Sequence, residues 1–75
     1  MNVRRIAERY TRGTVLDVWI DTFGGPSYFG RFVVDAKTIR HMDTGQIWGE
    51  IVKEYAAFNH GLKPRIARVE IVKKA

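Results

Sequence analysis

Few side chains in this 75-residue sequence could carry covalent or acid–base chemistry. Cysteine is absent, which removes thiolate nucleophiles, disulfides and zinc–sulfur sites together. Ser27 is the single serine, and it follows Gly24-Gly25-Pro26. That is a turn sequence, not the strand-to-helix elbow that exposes a nucleophilic serine. The two histidines, His41 and His60, have no ligand spacing that would put both on one helix face. They read as loop or helix-cap residues, although Asp43 lies near His41 in the chain.

Paired carboxylates are the next possibility. Asp17 and Asp21 fall on one expected strand, about 13 Å apart at about 3.3 Å per residue, too far to share an ion. Asp17 and Asp35 face each other in the register expected below. Like charges so placed are unfavourable, so a cation from the first helix is expected beside them. Gly24-Gly25 has neither the spacing nor the following lysine of a phosphate-binding loop. No catalytic residue, metal-ligand set or cofactor is expected, and the chain reads as non-enzymatic.

Charge placement is more informative. Lys plus Arg total 13 against 8 Asp plus Glu, a net +5. Residues 1–13 hold four basic residues and one acidic, residues 14–35 one basic and three acidic, and residues 36–60 three of each. Residues 61–75 hold five basic and one acidic. The excess therefore lies at the two ends. If those ends are neighbours, Arg4, Arg5, Arg9, Arg12, Lys63, Arg65, Arg68, Lys73 and Lys74 form one basic surface. Such a surface attracts the phosphate backbone of RNA or DNA in a salt-dependent way.

Aromatic residues add a second signal. Trp19, Tyr28, Phe29 and Phe32 lie on an expected hairpin, where base-stacking platforms are often built. Phe32 is expected inward. No Lys/Arg-Gly-Phe run of the common RNA-recognition module occurs. The first expectation is a small basic nucleic-acid-binding module that contacts its ligand through both termini. The alternative is a protein-interaction module, an inhibitor, adaptor or accessory factor, of a size common among phage and mobile-element genes. It would dock a partner protein, or a second copy as a homodimer, through Trp19, Phe23, Phe29 and Arg31.

The elements that must position these residues follow from periodicity. Val3, Ile6, Ala7 and Tyr10 repeat at helical spacing and predict a helix within residues 2–12, with Gly13 at its cap. A strand there, turning at Thr11-Arg12-Gly13-Thr14, is the competing reading. Leu16, Val18 and Ile20 alternate with Asp17, Trp19 and Asp21 in a strand over 14–23. Gly24-Gly25-Pro26-Ser27 is the turn and 28–36 the second strand. Centring the turn on Pro26 pairs Ile20 with Phe32, Val18 with Val34, Leu16 with Ala36 and Asp21 with Arg31. Gly30 marks a bulge or a close approach.

Residues 37–43 read as a connection, with Ile39 or Met42 touching the core. Asp43 or Thr44 would cap a second helix whose apolar stripe is Ile47, Trp48, Ile51, Val52, Tyr55 and Phe58. Asn59-His60-Gly61 ends it, and 65–73 is the last strand, with Ala67, Val69 and Ile71 on one face. The expectation is a single α+β domain over 1–75. It has a three-stranded antiparallel or mixed sheet, a β-hairpin and one long helix, in the order α-β-β-α-β (β-β-β-α-β on the competing reading).

The second helix is expected to cover the face of Leu16, Val18, Ile20, Phe32 and Val34. The face of Trp19, Val33, Phe23 and Phe29 would be covered by the first helix through Val3, Ile6 and Tyr10, or by another molecule. An exposed sheet edge could pair with another chain. The start Met1-Asn2-Val3-Arg4-Arg5 is basic but lacks the apolar run of a secretory signal. No run approaches a membrane span, so no membrane association and a soluble cytoplasmic protein are expected.

Overall fold

The computed structural model describes residues 1–75. Asn2 starts the first helix, α1 (Val3–Arg9), its side-chain oxygen accepting the Arg5 amide at 2.9 Å. The helix stops earlier than its periodicity suggests. Tyr10 is extended, and the Gly13 amide (φ +95°) donates to the Val34 carbonyl at 2.8 Å, with Thr14 accepting from the Val34 amide at 2.9 Å. Pairing with the sheet takes this segment away from the helix. The strand reading of residues 2–12 is overturned.

Strands β1 (Val15–Thr22) and β2 (Gly25–Asp35) form the hairpin. Its turn is Phe23-Gly24, with Gly25 at φ +103°, a conformation open to glycine. The turn is therefore not centred on Pro26, which sits in the strand opposite Asp21. Leu16 pairs with Phe32 and Asp17 with Arg31, in place of the expected partners. That displacement is an even number of residues, so Leu16, Val18, Phe32 and Val34 still share a face. Towards the tip a bulge leaves Phe29 without a partner, since Val18 opposes Gly30 and Trp19 opposes Tyr28. The bulge rotates Phe29 onto the other face from the one its position implied.

Residues expected as a connection form a strand, β3 (Thr38–His41), paired antiparallel with β2 through the turn Ala36-Lys37. Ile39 is completely buried and Met42 is exposed, so Ile39 is the core contact. Helix α2 (Trp48–Phe58) begins after Ile47, not at Asp43 or Thr44. Those two amides instead donate to His41 Nδ1 at 3.1 and 3.3 Å. Gly61 (φ +81°) follows the helix as expected, and its amide closes onto the Ala56 carbonyl. The last strand, β4 (Ile66–Lys73), is antiparallel to β1. A register shift near Ala67 brings Ile66, not Ala67, into the core beside Ile20.

The element order is α-β-β-β-α-β, and the sheet has four strands in the order β3-β2-β1-β4. The expected three strands and one long helix are corrected to four strands and two helices. Ile6 of α1 joins Leu16, Val18, Phe32, Val34, Ile39 and Ile66 in the buried cluster. Trp48 and Ile51 of α2 pack against the same cluster. Both helices therefore lie on one face of the sheet. The first helix does not cover Trp19, and the opposite face carries no helix.

Candidate binding surfaces

On the helix-free face, alternation along β1 and β2 presents Asp17, Trp19, Tyr28 and Arg31. The Arg31 guanidinium grips Asp17 with two hydrogen bonds, 2.9 and 3.2 Å, and the Tyr28 hydroxyl donates to the same carboxylate at 2.7 Å. Arg31 first, then Tyr28, hold the Asp17 carboxyl below its usual range. The same bond to Asp17 raises the Tyr28 phenol above its usual value. Beside this network, Tyr28 meets Trp19 edge-on with centroids 5.2 Å apart. The Arg68 guanidinium of β4 lies 3.9 Å from the centre of the Trp19 ring.

Asp35 does not oppose Asp17, because the register differs from the expected one. It takes the Ala36 amide at 2.8 Å, Arg12 at 3.0 Å and Arg40 at 3.4 Å. The Ala36 amide, followed by the two arginines, lowers its carboxyl too. The first helix itself supplies no cation here: Asp17 is paired by Arg31 of β2, and Asp35 by Arg12, past the end of α1, and Arg40 of β3. Arg68 pairs with Glu70. Around Trp19, Asp17 pairs with Arg31 and Glu70 with Arg68, leaving an aromatic centre flanked by ion pairs. Ser27 Oγ lies 3.2 Å from Thr22 Oγ1 in the turn, with no histidine partner. No three His, Asp or Glu side chains gather at one place.

The basic residues divide by partner and by position. Arg4 pairs with Glu8 at 3.6 Å, Arg12 with Asp35 and Arg68 with Glu70. Arg5, Arg9, Lys63, Arg65, Lys73 and Lys74 are exposed and pair with no carboxylate. One group gathers where the chain ends meet. Arg9 and Lys74 line a common cleft of about 310 Å³ together with Thr14 and Ile71. Arg5 and Arg9 flank a smaller one against Tyr10. The last residue, Ala75, lies against Gly13.

The second group, Lys63 and Arg65, sits at the far end of β4, where the Asp21 amide donates to the Arg65 carbonyl at 2.8 Å. It borders a cavity of about 650 Å³ between the hairpin tip and the end of α2, with Phe23, Tyr55 and Leu62 in its wall. The basic residues that line clefts therefore fall at two poles, Arg5, Arg9 and Lys74 at one and Lys63 and Arg65 at the other, with Arg68 between them along β4. Residues 65 to 74 span about 30 Å at about 3.3 Å each, close to the 35 Å long axis of the molecule.

The four residues expected to dock a partner are also separated. Trp19 and Arg31 share the helix-free face. Phe23 is fully exposed at the hairpin tip. Phe29 packs under α2, 5.6 Å from Trp48, 6.0 Å from Tyr55 and 6.3 Å from Phe32. The contact of Arg68 with Trp19 was not legible in the sequence, because it depends on the β1–β4 register. Tyr55 in the tip cavity read only as one member of a helical stripe.

No helix is long and apolar enough to cross a membrane. Comparison with protein-family models, with curated proteins and with solved structures gave no match.

Proposed function

We propose that this chain is a non-enzymatic nucleic-acid-binding module that holds the phosphate backbone through its basic ends. The observation that carries this reading is the convergence of Arg9 and Lys74 on one cleft, with Arg5 on the adjoining one and Lys73 next to Lys74 in the chain. None of the four is committed to a carboxylate, so phosphate contact breaks no existing ion pair. Guanidinium and ammonium groups held together in this way displace the counterions of a polyanion, and the released ions favour binding.

The test is a titration of a labelled oligonucleotide at several salt concentrations. With four cations engaged, log K is expected to fall against log salt with a slope of about −3 for a single strand and about −4 for a duplex. Arg9→Ala with Lys74→Ala is expected to lessen that slope by about 1.5 to 2. Undetectable binding at low salt, or binding indifferent to salt, would refute the reading.

The helix-free face favours a second reading. The charges flanking Trp19 are already paired, and such an aromatic patch suits a protein surface or a second copy better than a polyanion. Trp19→Ala is then expected to abolish association measured by sedimentation while the circular dichroism spectrum stays that of the folded chain.

A further inference from the structure

We propose that the cavity at the hairpin tip takes one unstacked base of a single-stranded nucleic acid, lying on Phe23 with its phosphates held by Lys63 and Arg65. This inference rests on the nucleic-acid reading above and concerns the opposite pole of the molecule.

Three observations support it. Phe23 occupies a two-residue turn and is fully exposed, giving nothing to the core. Turn geometry asks for small or polar residues there, so the ring has no local structural reason. Second, the ring does not stand alone. It shares the cavity wall with Tyr55 and Leu62. Tyr55 itself packs edge-on against Phe29, which ties this side of the cavity to the hairpin. Third, Lys63 and Arg65 stand at the same wall with no carboxylate partner. The volume of about 650 Å³ is within the range of small-ligand sites.

An apolar ring beside uncommitted cations matches a flat base joined to phosphate. Asp21, the carboxylate on this wall, is an acceptor suited to the exocyclic amine of a base. Bases inside a duplex are stacked and paired and cannot enter, so the cavity discriminates single strands from duplexes.

The experiment measures fluorescence anisotropy of a mixed-sequence 12-nucleotide single strand and of a 12-base-pair duplex at one salt concentration. Wild-type chain is expected to prefer the single strand. Phe23→Ala is expected to weaken single-strand binding about tenfold and to leave duplex binding and the melting temperature unchanged. Phe23→Trp is expected to retain binding, with the emission of the new exposed indole quenched by the single strand. Single-strand binding by Phe23→Ala equal to wild type, or an equal loss for both ligands, would overturn the base site and leave the basic-end reading intact. Absence of wild-type binding to either ligand would overturn both. An unquenched Phe23→Trp emission in a saturated complex also counts against the cavity.

Discussion

Gly30 and His41 show how tightly single positions are specified. Gly30 has φ +147°, and a Cβ there would lie 2.9 Å from His41 Nε2. The imidazole cannot easily withdraw. Its Nδ1 accepts two backbone amides, and its ring stands edge-on to the buried Phe32 at 5.1 Å. Gly30→Ala therefore combines an unfavourable backbone angle with a clash and is expected to destabilise by about 2 to 3 kcal/mol, read from chemical denaturation.

Asp17 and Asp35 give a prediction in pH. Both carboxyls are held below their usual value of 3.8. A depressed folded-state value means the ionised form supports the fold. That support is complete above the unfolded value and is lost as pH falls through the lowered one. The contribution of these two carboxyls to the melting temperature is expected to be constant above about pH 5 and to be lost below about pH 4. Asp17→Asn is expected to lower the melting temperature at neutral pH and to flatten the acid limb.

Among the elements, β3 is the least signalled and among the most consequential. Four residues offer little alternation to read, and its turn passes through Lys37 at φ +58° without a glycine or asparagine to mark it. Yet β3 forms one edge of the sheet, and α1 and α2 both rest on it through a cluster that includes the fully buried Ile39. Ile39→Ala is expected to cost about 2 to 4 kcal/mol, whereas Met42→Ala, at an exposed position, is expected to cost less than about 0.5 kcal/mol. Equal effects in a denaturation series would contradict the strand. Helix α2 has no fully buried residue and leaves Phe58 exposed. It covers the sheet as a partial lid, which is why a cavity remains between its end and the hairpin tip.

At the scale of the molecule, placing both helices on one face has two consequences. The other face stays free, with Trp19 at its centre under Arg68. The basic segments at the chain ends are distributed to two poles joined by β4. Trp19→Ala is expected to cost about 1 to 2 kcal/mol through lost contacts with Tyr28 and Arg68. For a domain of this size that is a fall of about 5 to 15 °C in melting temperature. Global unfolding would instead mark Trp19 as core.

The sequence alone determined what depends on local period and composition. Alternation in β1 and β2 identified the inward set, because side chains on a strand change face at every residue. The 3.6-residue repeat located both helices, Gly61 the end of the second, and the charge count placed the cations at the ends. Gly30 was legible as a special backbone position for the same local reason. The tertiary structure alone decided the register, the bulge at Phe29, the fourth strand and the choice of a single face for both helices. These result from competition among distant segments for one small core. Moving Phe29 under α2 buries an aromatic ring, and pairing residues 13–14 with Val34 ends α1. Neither gain is visible until the partners are in place, so the separation of Trp19, Phe23 and Phe29, and the gathering of Arg9 with Lys74, could only be seen in three dimensions.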